Sequence, residues 1–242
     1  MIFQILLFIA AGVAGGIATI TGFGIGSVLT PLLATNVGTR LAVAAISIPH
    51  FFATALRFWR LRAHVDKRVL VRFGIPSAAG GLTGALLHNV AGNRALAVVF
   101  GMLLVFVGVS ELAGLSRRMR FNHIVAWVAG ALSGFLGGLV GNQGGIRSAA
   151  LLGFDIDKHA FVATATATGV IVDAARMPAY FVTQGRQIAG IWTLVAIATL
   201  GAVLGTIFGE RLLRLVPERV FRRLVAILVL ALGVYMMFFA GE

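Results

Sequence analysis

The chain has 242 residues, of which 59% are hydrophobic and 12% charged, and its mean hydropathy is +0.99. That composition excludes a soluble domain with an ordinary polar surface and leaves an all-α polytopic membrane protein. The formal net charge of +12 is read as loop arginines on the cytoplasmic side rather than as a nucleic-acid surface, and the lack of any cysteine excludes disulfides and thiolate ligands.

The N-terminus, Met1 to Phe8, carries no basic residue and runs into an apolar segment, so a cleaved signal peptide is not expected. That segment is broken by glycines at Gly15, Gly16, Gly22, Gly24 and Gly26. Apolar stretches long enough to span about 30 Å of hydrocarbon follow at 41–58, 69–87 and 95–115. A second glycine-broken segment carries Gly137, Gly138, Gly141, Gly144 and Gly145, and further spans are read at 160–182, 188–208 and 220–240. About eight hydrophobic segments result. The five histidines, His50, His64, His88, His123 and His159, have no metal-ligand spacing, and no paired carboxylates or nucleophile with a base suggest an enzyme. No cofactor and no metal are called for.

An offset of 121 pairs Gly16 with Gly137, Gly24 with Gly145, Ser27 with Ser148, Ser47 with Thr168, Gly80 with Gly201 and Gly84 with Gly205. Beyond these the offset grows to 125, pairing Gly108 with Gly233. The chain therefore reads as a duplication, residues 1–115 and 116–242, which together make one transmembrane domain.

Loop charges test the topology. If all eight segments cross, the basic loop residues divide ten to eight, which is no bias. If each glycine-broken segment is a re-entrant hairpin that leaves on the side it entered, they divide fifteen to three, with only Arg40, Arg94 and Arg186 outside. The second arrangement obeys the positive-inside rule and leaves three crossings per half, so the halves are inverted repeats. The hairpin limbs, among them residues 3–19 and 25–35, also read as short for full spans at 1.5 Å per residue. Residues 184–187 are expected outside and 115–120 in the cytoplasm.

Irregular backbone at membrane depth survives where protein or water satisfies its freed groups, so the two tips are expected to face one another. The half-helices that begin after them would point N–H groups and positive dipole ends at a bound anion. The first tip offers Thr21, Gly22 and Gly24. The second offers Asn142, Gln143, Gly144 and Gly145, followed by Arg147, whose burial in hydrocarbon costs several kcal/mol unless compensated. Ser47, His50 and Thr168 fall near mid-depth and are candidate site-lining residues, with Thr164 one turn below Thr168. Their hydroxyls have the alternative of bonding their own helix backbone. Asp173 and Arg176, spaced i, i+3, read as an ion pair near the outer interface, with a gate or coupling role behind it.

These segments resemble the TauE/SafE sulfite exporter family over nearly all 242 residues. The likeness is carried by the first Gly-rich stretch leading to Pro31, Leu32 and Leu33, by Gly134 to Gly141, and by Leu61 to Asp66 and Thr183 to Ile188, which look like the family's polar connections. The chain differs in having only Gly144 and Gly145 after Asn142 and Gln143, and Leu152 where the first half has Pro31. The resemblance implies a cell-membrane transporter that exports sulfite, sulfonates or similar sulfur anions. The expected partners are a small anion and the lipid bilayer, with no nucleic acid, and a homo-oligomer is left open. The alternatives from the residues are a passive anion channel and a non-transporting membrane scaffold.

Overall fold

The computed structural model describes residues 1–21, 24–114, 123–142, 144–151, 154, 156–213 and 218–240. Among them every regular element is helical. In chain order they are α1 (Ile2–Thr21), α2 (Ile25–Val37), α3 (Thr39–Leu61) with a 3-10 turn at Arg62–His64, and α4 (Lys67–Val69), which continues through a π turn at Leu70–Gly74 into α5 (Ile75–Val90). Then come α6 (Asn93–Leu112), α7 (His123–Val140), α8 (Gly144–Leu151), α9 (Lys158–Gly190), α10 (Trp192–Leu213) and α11 (Glu218–Phe238).

Five stretches are long and apolar enough to cross a membrane: Ile2–Thr19, Thr39–His64, Lys67–Val90, Asn93–Leu112 and His159–Gly190. Four shorter apolar helices accompany them, at Ile25–Val37, Ile124–Val140, Trp192–Phe208 and Arg223–Phe238. Helix α1 corrects the length argument made for the first hairpin. Its 20 residues give about 30 Å at 1.5 Å per residue, enough by length for a full span. The limbs α2, with 13 residues, and α8, with 8, remain short.

Helix α9 corrects two boundaries. Thr183 to Ile188, expected as a polar connection, lies inside its 33 residues, and the following helix starts at Trp192 rather than at Ile188. A continuous i→i+4 ladder satisfies Gly185 and its polar neighbours as readily as a loop would, so polarity alone misplaced the break. The expected loop at 115–120 and the boundary at 115/116 lie outside the described residues.

Three helix pairs form the frame: α1 against α10, α5 against α7, and α6 against α11. Glycines let their backbones meet. A Cβ on Gly138 would overlap the Gly81 carbonyl oxygen, one on Gly84 that of Phe135, and one on Gly205 that of Gly12. In a membrane, with no hydrophobic drive between helices, such close approach is where van der Waals attraction is gained. Exposed Ile2, Val90, Ile124, Val182 and Phe239 make the apolar outer face. Helices α3 and α9 pack together within the frame, and the polar groups lie along their seam.

Candidate functional site

Two helix breaks meet at the centre of the structure. Helix α7 ends at Val140, and Gly141 follows with φ 78°, a left-handed turn that a side chain would strain. Its N–H donates to Gly137 O at 3.0 Å, as at other left-handed helix ends. Across from it, α2 begins after Gly24 at φ 139°. A Cβ on Gly26 would stand 2.6 Å from Gly141 O, and Asn142 Nδ2 donates to Ser27 Oγ at 2.9 Å. Asn142 and Ser27 are both buried. The breaks thus face one another, as their buried backbone groups require.

The last carbonyls of α7 lie where the helix ladder runs out, and side chains of neighbouring helices supply donors, at Gly137 O in addition to the Gly141 N–H. Arg176 Nη1 donates to Gly137 O and the Tyr180 hydroxyl to Gly138 O. The His88 ring lies between Leu139 O, 2.7 Å from Nδ1, and Arg40 O, 3.1 Å from Nε2. His88 also packs edge-on against Tyr180 at 5.1 Å between ring centroids. At the end of α1, Arg57 Nη1 donates to Ala18 O. Each break is therefore held by an arginine reaching over from the α3–α9 seam.

Charge concentrates on the same seam. Arg57, Arg147 and Arg176 are buried, as is Asp173. Asp173 Oδ1 accepts from Arg176 Nε at 3.0 Å and Nη2 at 2.8 Å, and its Oδ2 accepts from His50 Nδ1 at 2.6 Å. The carboxylate therefore ties α9 to α3. Arg147 reaches α9 from α8, with Nη1 2.9 Å from the position a Cβ on Gly169 would take and the Thr54 methyl 3.2 Å from that position. Only a glycine at 169 leaves room for the guanidinium. Arg147 is within electrostatic reach of Arg57, Asp173 and Arg176. An oxyanion at this place would meet planar guanidinium donors in water-poor surroundings, where each charge-assisted hydrogen bond counts for more.

The sequence-derived candidates fall out unevenly. Asn142, Gly144, Arg147, His50, Asp173 and Arg176 are brought to this centre. Asp173 and Arg176 do form the ion pair, with both side chains buried within the protein. Ser47 Oγ donates to Ala44 O at 2.6 Å and Thr168 Oγ1 to Thr164 O at 2.9 Å, so both hydroxyls are engaged by their own helices. Thr164 Oγ1 in turn accepts from Asp66 N at 3.0 Å. Gly22 and Gln143 lie outside the described residues, as do the side-chain position of Thr21 and the surroundings of Gly145. Gly24 provides the positive-φ entry to α2.

Sequence reading passed over Arg57, His88, Gly169 and Tyr180. A signal for the first was present: His50, Thr54 and Arg57 are spaced i, i+4, i+7 on one helical face, as are Gly169, Asp173 and Arg176. Among the described residues no three His, Cys, Asp or Glu side chains gather as a metal site.

Long apolar helices around a buried polar centre define a multi-pass helical membrane protein. The family model for the sulfite exporter TauE/SafE matches residues 7–236, and the chain belongs to this family of membrane transporters. Comparison with curated proteins and with solved structures gave no match.

Proposed function

We propose that the protein exports a small sulfur oxyanion or organosulfonate across the cell membrane, binding it where the two helix breaks meet and exposing it to each side in turn. The observation that carries this reading is the burial of Arg57, Arg147 and Arg176 beside those breaks, with Arg147 in electrostatic reach of the other two. Family membership supports the substrate class.

We read the chain as two inverted repeats, each a re-entrant hairpin followed by three crossings. Matched contacts agree with this. The contact of Gly84 with Phe135 O, between α5 of the first half and α7 of the second, corresponds to that of Gly205 with Gly12 O, between α10 of the second half and α1 of the first, and Gly138 against Gly81 O corresponds to Gly15 against Ala202 O. The offset of 121 is kept by α5 and α10, whereas these contacts give 123 for α1 and α7, so Gly15 rather than Gly16 answers to a glycine of α7. Gly108 against Ala226 O and Gly233 against Gly101 O are related by 125. Ser27, at the first break, sits eleven residues before the Gly38 turn, roughly 16 Å of helix and half the hydrocarbon thickness. That depth is what a hairpin turning back at mid-membrane would have.

The test is purified protein in liposomes loaded with sulfite. Release that saturates and follows an imposed proton gradient supports the transporter, whereas release linear in concentration supports a channel. No release of sulfite or sulfoacetate would leave the scaffold reading. Arg147→Met is expected to cut release at least about tenfold, the kinetic equivalent of one charge-assisted hydrogen bond of about 1.5–3 kcal/mol.

A further inference from the structure

Gln184 is a buried polar side chain that neither the fold nor the central site uses. It is only 3% exposed, yet neither its Nε2 nor its Oε1 has a hydrogen-bond partner. Buried amides are nearly always satisfied, because leaving one unpaired forfeits its hydration with nothing in return. Thr39, fully buried at the start of α3, likewise has an unpartnered hydroxyl.

These two residues are level with each other across the α3–α9 seam. His50 bonds Asp173, and Thr54 lies against Gly169, so an advance along α3 is matched by a retreat along α9 and the helices are antiparallel. Thr39 precedes His50 by eleven residues, and Gln184 follows Asp173 by eleven. Both thus lie about 16 Å along the seam from the central ion pair. A second set of contacts agrees: Arg40 O, the His88 ring and the Tyr180 ring lie in succession, and Gln184 is one turn beyond Tyr180 on its face.

We infer that Gln184 and Thr39 form a second oxyanion subsite on the transport path, at the Arg40 end of the seam and separate from the arginine centre. The amide Nε2 and the Thr39 hydroxyl donate to an anion oxygen, and Oε1 accepts from a water that accompanies it. On the topology proposed above this is the outer end, where an exported anion pauses before release. The inference rests on the transport reading.

Its chemistry makes a distinctive test. A residue that bonds nothing in the protein can be replaced by an isosteric apolar one without loss of fold, so Gln184→Leu and Thr39→Val should melt no lower than the parent. Both should slow sulfite release from proteoliposomes about five- to tenfold, chiefly through a raised half-saturation concentration, and Gln184→Asn should recover part of the loss. If the parent transports sulfite and both apolar variants match it, the subsite is refuted while the central site stands. A Gln184→Leu protein with a lowered melting temperature would also refute it, since the amide would then be structural. A parent that moves neither sulfite nor sulfoacetate would refute the transport reading and the subsite with it.

Discussion

Asp173→Ala tests the polar centre most directly. The carboxylate is fully buried and accepts from Arg176 twice, at 2.8 and 3.0 Å, and from His50 at 2.6 Å. Its removal leaves the Arg176 guanidinium buried with its bond to Gly137 O and no counter-charge from its own helix turn. Breaking a buried ion pair by deleting one partner typically costs about 3–5 kcal/mol, whereas replacing both partners by apolar groups is often neutral. At about 2–4 °C per kcal/mol for a chain of this size, the melting temperature in detergent should fall by roughly 6–20 °C. The double variant Asp173→Leu/Arg176→Met should recover at least half of that fall, because it removes the orphaned charge along with its partner. The single variants Asp173→Leu and Arg176→Met should be strongly non-additive in a double-mutant cycle. A fall of less than about 2 °C for Asp173→Ala, or a double variant that melts below both singles, would refute the view that the pair is desolvated and mutually dependent.

Glycine packing gives a contrasted pair: Gly138→Ala sets a methyl against the Gly81 carbonyl and should cost about 1–3 kcal/mol. Gly185→Ala, inside α9 with nothing within 4 Å, should stabilise by up to about 1 kcal/mol, and thermal melts of the two should shift in opposite directions. Gly169→Ala should displace the Arg147 guanidinium and reduce sulfite release more than it lowers the melting temperature. At the start of α9 the Asp157 carboxylate accepts from the N–H groups of Ala160 and His159, which hold its pKa below the usual carboxylate range. A depressed value means its stabilising contribution is complete above the unfolded carboxylate pKa and is lost as pH falls through the lowered folded value. Asp157→Ala should therefore melt below the parent at neutral pH and converge with it in acid. Single cysteines introduced at Asn36 and at Arg62 should label from opposite faces of sealed vesicles, and labelling from one face would refute the proposed sidedness.

The class of protein was legible in the chain because hydropathy and span length act locally: residues 41–58, 69–87 and 95–115 fall on α3, the α4–α5 span and α6 with boundary shifts of a few residues. The helix breaks were legible for a similar reason, since glycines cannot hide in an apolar helix without a packing or turning purpose. Asn142 and Arg147 stood out because polar groups at membrane depth demand a compensation that the local sequence does not contain.

What the sequence could not reveal is which group answers which. Arg57 drew no site reading and Arg176 read only as the partner of Asp173 on its own helix, because a sequence window is blind to the neighbouring helix. Only the pairing of α3 with α9, and of α9 with the end of α7, brings Arg57 to Ala18 O, Arg176 to Gly137 O and Tyr180 to Gly138 O. Thr183 to Ile188 failed for the converse reason: polar residues that look like a loop remain helical when the ladder is unbroken, and Gln184 is then buried by the neighbours of α9. Composition determined that the chain must live in a membrane, and the glycine clusters marked where its helices break. The tertiary structure decided where the freed carbonyls and buried charges find one another, since that depends on contacts between helices distant in sequence.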